Sequence, residues 1–112
     1  LAVHGLGMAL AALAAGRFGP AWPHAAILLV AAVAGCTAAG YTGVAYADFA
    51  ALGGARRTEA TGLGTAVMFA GVTLMPPAFS ALATGWGYPA GYEMLAVCSL
   101  IGAVMLVLPR RQ

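Results

Sequence analysis

Two long stretches without a single charged side chain constrain this chain more than any other feature: Ala25 to Ala47, and Ala60 to Tyr92. An unsolvated run of about 20 apolar residues matches the roughly 30 Å hydrocarbon thickness of a bilayer at 1.5 Å per helical residue. Backbone polar groups inside such a run have no water to bond, so helix is the conformation that satisfies them within the segment. Composition argues the same way. Charged residues make up only 7% of the 112 residues against 62% hydrophobic ones, and the mean hydropathy is +0.93. Soluble domains carry roughly 25% charged residues. With five Lys+Arg residues, all of them arginine, and three acidic ones, the chain also lacks the clustered basic face that tracks nucleic-acid phosphates.

Punctuation divides the chain into four helices, at about 1–15, 25–47, 61–84 and 91–108. The first apolar run ends at Gly16-Arg17-Phe18-Gly19-Pro20, with Pro23 close behind, a Gly- and Pro-rich turn. Asp48 to Glu59, which includes Gly53-Gly54, Arg56 and Arg57, reads as a solvated loop. Gly85-Trp86-Gly87-Tyr88-Pro89 splits the second long run, and Pro109-Arg110-Arg111 closes the last helix. The expected fold class is therefore all-α: one polytopic membrane segment, residues 1–112, of four transmembrane helices. The first run starts at Leu1 without Met and reaches Arg17 short of a full crossing. The segment is thus expected to be the end of a longer chain. A signal peptide fits poorly, because there is no basic stretch before the run and three further spans follow.

Positive charge sets an orientation. Arg56, Arg57, Arg110 and Arg111 fall on one side and Arg17 alone on the other, so the second loop and the C-terminus are expected in the cytoplasm, with the chain in the cell's inner (plasma) membrane. Trp22, Trp86, Tyr88 and Tyr92 gather on the opposite side, where amphipathic rings favour the headgroup level.

Three features carry candidate function. Small residues recur every four positions at Ala31, Gly35, Ala39, Gly43 and Ala47, a stripe along which helix backbones approach closely in lipid; Gly35, Ala39 and Gly43 are the packing candidates. Roughly opposite lie Thr37, Tyr41, Val44 and Asp48. Thr37 and Tyr41 are candidate solute contacts on a cavity face, with the alternative that Thr37 bonds its own helix at i−4 and Tyr41 a neighbouring one. In the third helix Gly71 precedes Pro76-Pro77, whose missing donors free the carbonyls of Val72 and Thr73, so a kink or hinge is expected.

Catalytic chemistry finds no support. His4 and His24 have no Asp, Glu or Cys at metal-ligand spacing, Cys36 and Cys98 form no C-x-x-C, and no nucleophile motif or phosphate loop is present. The expectation is neither an enzyme nor a metal or cofactor protein. The acidic residues all fall near helix ends rather than at mid-membrane, where a carboxylate would suggest ion coupling.

The run Gly54-Ala55-Arg56-Arg57-Thr58-Glu59-Ala60-Thr61-Gly62-Leu63-Gly64-Thr65-Ala66, followed by Phe69, Gly71, Leu74, Pro76-Pro77 and Gly87-Tyr88, resembles the C-terminal end of major facilitator superfamily transporters. There a basic inner loop leads into a Gly-Leu-Gly eleventh helix with a Gly/Pro-rich middle, an outer Gly-aromatic turn and a twelfth helix. The resemblance implies that the four spans correspond to helices nine to twelve of a twelve-helix bundle. It also implies alternating access between two halves, with the second span lining the central cavity and the first and last peripheral. The implied partners are the lipid bilayer, the preceding helices of the same transporter and a small-molecule solute. Two alternatives stand beside this reading. One is a complete small four-helix protein, such as a dimeric small multidrug resistance-type exporter, although the first helix lacks the membrane-embedded Glu on which those depend. The other is a non-transporting membrane subunit.

Overall fold

Four antiparallel helices, joined by three short reversals, make up residues 1–108, the part of the chain that the computed structural model describes. In order these are α1 (Ala2–Ala15), α2 (His24–Gly53), α3 (Arg57–Trp86) and α4 (Tyr88–Val107), with a 3-10 turn at Gly54–Arg56 between α2 and α3. Arg110 and Arg111, half of the expected cytoplasmic charge, lie outside the described residues.

Both long helices overrun the boundaries that composition suggests. In place of a loop from Asp48 to Glu59, α2 continues through Asp48 to Gly53 and α3 begins at Arg57. Charge marks where a helix is solvated, not where it unwinds, and Phe49-Ala50-Ala51-Leu52 contains no breaker. The reversal falls on Gly54, whose φ of 52° is a left-handed conformation available to glycine without a Cβ clash. Glu59 then occupies the first turn of α3, where a carboxylate faces the positive end of the helix dipole. At the other end, Gly87 alone (φ 90°) separates α3 from α4. Pro89 does not prolong that turn because it sits in the first turn of α4, where no intrahelical donor is lost. Pro76 and Pro77 lie inside α3, which remains helical through them from Arg57 to Trp86.

Close approaches between helices give the arrangement. His4 and Gly7 of α1 meet Gly40 and Thr37 of α2; Gly5 of α1, and Gly16 just past its end, meet Ala103 and Tyr92 of α4. Phe49 meets Gly64, and Gly53 meets Ala60, between α2 and α3. In each pair one number rises as the other falls, so the bundle runs up-down-up-down. Each helix touches the two next to it around a ring that α1 and α4 close, and among the described residues the diagonal pairs do not touch.

The interior is unlike that of a water-soluble domain. Among the described residues the buried hydrophobic ones are all alanine (Ala9, Ala11, Ala12, Ala45, Ala96 and Ala103), and no large side chain is fully buried. Val3, Leu28, Leu63, Val72, Trp86 and Met105 instead stand well exposed on the outside. Among the described residues two stretches, His24–Trp86 and Tyr88–Val107, are long and apolar enough to cross a membrane. The first holds 63 residues, about 95 Å of straight helix, whereas the molecule's longest dimension is 53 Å, so α2 and α3 fold back as a hairpin.

Candidate functional site

Of the polar face foreseen on α2, Thr37 meets α1, while Tyr41 and Val44 stand exposed. Thr37 stands opposite Gly7, and a Cβ built on that glycine would lie 2.7 Å from the Thr37 methyl. The Thr37 hydroxyl turns the other way and donates to its own helix, 2.9 Å from the Val33 carbonyl oxygen and 3.0 Å from that of Ala34. A β-branched hydroxyl on an apolar helix satisfies itself in this manner. Tyr41, one turn further along, is 37% exposed, so its ring remains available to whatever borders this part of α2.

Between these two residues the backbone of Gly40 is bare toward α1, and the imidazole of His4 rests on it: a Cβ at Gly40 would come within 2.8 Å of Nε2 and 3.2 Å of Cδ2. On the other side of the ring, Nδ1 is buried without a hydrogen-bond partner. Such an atom is uncommon, since burying an unpaired polar group costs on the order of 1–3 kcal/mol. His4 lies about 16 Å from the α1 end that leads into the Arg17 turn, and Gly40 about 20 Å from the end of α2 at Gly53. The pair therefore sits near the middle of the bundle's long dimension. From the sequence His4 is only the one polar interruption of the first run; its partner and its depth come from packing.

The stripe of small residues falls on a different face. A Cβ added at Gly35 or Gly43 would meet nothing within 4 Å, and Ala39 is exposed. Among the α2 glycines along the stripe's length, the one that meets another helix is Gly40, one position after Ala39, on the α1 side. Gly71 of α3 is likewise open on its Cβ side. Around Pro76-Pro77, Thr73 donates its hydroxyl to the Phe69 carbonyl at 2.9 Å, while the carbonyls of Val72 and Thr73 lose the donors that prolines lack.

The two ends of the bundle carry different clusters. Gly16 of the first turn approaches Tyr92 and Pro89 of α4, so the Arg17 turn and the Gly87 turn share one end of the bundle. Phe18 and Trp22 pack edge-to-face there at 5.1 Å between centroids, and Phe79 packs against Tyr92 at 5.2 Å and Tyr88 at 6.4 Å. Phe79, Ser80, Thr84 and Tyr88 edge an open cleft of about 440 Å³ at this end. At the other end Arg56 and Glu59 form an exposed ion pair with 3.7 Å between charged atoms.

No family model, curated protein or solved structure matches the chain.

Proposed function

We propose that this chain is part of a secondary active transporter that moves a small solute across the inner (plasma) membrane by alternating access, on the plan of the major facilitator superfamily. One observation carries the reading: the run from Gly54 to Ala66, with Phe69, Gly71, Pro76-Pro77 and Gly87-Tyr88 at family-like positions along α3 and its outer turn. The outward-facing large apolar side chains, the alanine interior and the opposed aromatic and arginine ends support a membrane setting, because lipid solvates such a surface and water does not. In this reading the bilayer and the preceding helices of the transporter cover the open faces of α2 and α3. Tyr41 faces the solute path with Thr37 on the same side of the helix, and the prolines of α3 shape a bending point. Neither a cofactor nor a catalytic residue enters it.

Topology and transport test the proposal separately. Gly54 and Gly87 both hold positive φ, so cysteine reporters belong at Ala55 and Gly19 instead. In intact cells an impermeant thiol reagent is expected to label Gly19→Cys from outside and leave Ala55→Cys unlabelled; the reverse pattern overturns the orientation. A reading frame extending upstream of Leu1 with about eight more hydrophobic spans is expected, and the intact protein should catalyse saturable solute uptake. Alternating access needs two opposed halves. Saturable uptake by liposomes containing residues 1–112 alone would therefore replace this reading with the dimeric small exporter.

A further inference from the structure

A proline inside a helix leaves the carbonyl four residues before it without its donor, and hydrocarbon supplies no other. Pro76 and Pro77 free two carbonyls in a row, that of Val72 about 23 Å from the start of α3 and that of Thr73 about 20 Å from its end. Both lie at mid-depth. The threonine hydroxyls of α3 do not serve them: Thr65 donates to Thr61, Thr73 to Phe69 and Thr84 to Ser80. Nor do the other described helices cover this stretch. Every residue from Val72 to Ala78 is exposed, while tight contacts of α3 flank it, Gly64 with Phe49 of α2 and Phe79 with Gly91 of α4.

We propose that the Val72 and Thr73 carbonyls line the water-filled solute path and bind the cationic or N–H-bearing end of the solute, with water on them in its absence. Lipid is the wrong cover, because a hydrocarbon chain has no donor and an unpaired carbonyl among such chains costs free energy. A one-donor side chain from a neighbouring helix serves one carbonyl only, since successive carbonyls diverge by about 100° around the axis. An ammonium, an amide or water has donors for both. Charge then selects among solutes. Ala60 to Tyr92 holds no charged side chain, so the field along this part of α3 is that of the carbonyl dipoles, whose oxygens attract cations and repel anions. The inference rests on the transporter reading and goes past it, because the resemblance gives the cavity lining to α2 and names no solute. A path between two halves is bounded by a face that no helix of its own half covers. Among the described residues the middle of α3 is such a face.

The test reads water and charge along α3 and needs no known solute. In the full-length protein on a Cys36→Ala, Cys98→Ala background, Val72→Cys reports on the carbonyl side and Leu74→Cys, about 200° around the helix, on the opposite side. Within this chain the two residues are almost equally exposed, at 68% and 65%. In open membrane fragments a charged methanethiosulfonate is expected to label Val72→Cys no more than about a thousandfold more slowly than Gly19→Cys, the limit for an open state populated at about 0.1%, and to leave Leu74→Cys unlabelled. At Val72→Cys the trimethylammonium reagent should outpace the sulfonate by about threefold or more beyond their ratio on free 2-mercaptoethanol. Pro76→Ala returns a donor to the Val72 carbonyl and should abolish that excess. No labelling of Val72→Cys means that lipid or a helix covers the carbonyls and overturns the proposal. An excess for the sulfonate, or an excess that Pro76→Ala leaves untouched, overturns the binding role of the carbonyls. Equal labelling of Val72→Cys and Leu74→Cys means that α3 is wet all round and overturns the membrane setting as well. Should either reporter fail to fold, Phe69→Cys and Val67→Cys, on the same two sides one and two turns earlier, take their places. Sided labelling without saturable solute uptake would instead overturn the transporter reading and uphold the wet face.

Discussion

Two faces of α2 carry small residues at helical spacing, and they meet different surroundings. Toward α1, Gly40 is covered by the His4 ring; on the Gly35, Ala39, Gly43 face none of the described residues comes within 4 Å of a Cβ position at either glycine. The same residue type thus serves two purposes. At the seams, glycine admits a bulky neighbour: Gly64 takes Phe49, and Gly91 takes Phe79. On the open stripe it leaves a smooth strip of backbone that lipid, filling space with mobile chains, does not require. The contrast teaches that a small-residue repeat reports a capacity for close approach, while the identity of the approaching helix depends on what lies beside it in three dimensions.

The seams are where the largest effect is expected. Gly64→Leu and Gly91→Leu each force a side chain into space held by an aromatic ring. In the intact protein they should cost on the order of 1–3 kcal/mol or more and cut the monodisperse yield sharply. Wild-type melting for both would mean that the helices are not packed as described. Next comes the open stripe: Gly35→Leu and Gly43→Leu should reduce folded yield and thermal stability in the full-length protein more than Leu28→Ala does, if preceding helices cover that face. Equal stability of all three variants would assign the stripe to lipid and leave the seams as the chain's close contacts.

Smaller effects separate the polar residues. Tyr41→Phe removes one hydroxyl, worth about 0.5–1.5 kcal/mol as a neutral hydrogen bond, so solute affinity should fall from a few-fold to about tenfold with folded yield unchanged. Tyr41→Ala also removes the ring and should do more; normal transport by both makes Tyr41 a packing residue. The smallest change is expected from Thr37→Val, which keeps the branched shape against Gly7 and deletes a hydroxyl committed to Val33 and Ala34. A stability change within about 0.5 kcal/mol, measured by thermal unfolding in detergent, is the expected outcome.

Helix was determined by the sequence alone. Long uncharged runs leave backbone groups no partner but their own helix, and Gly-, Pro- and Arg-bearing segments locate the three reversals to within a few residues. Their lengths were not. Charged residues at 48–59 were consistent with either a loop or two solvated helix ends, and the left-handed Gly54 confines the turn to three residues. The rotation of Thr37 was also open at the sequence level, because hydroxyl-to-backbone and hydroxyl-to-cavity geometries share the same spacing; the tertiary contact with Gly7 and the two carbonyls of its own turn select the first. Only packing brings His4 to Gly40, thirty-six positions along the chain. Periodicity along one helix carries no information about the register of its neighbour, and that register is decided where backbone meets side chain across the seam.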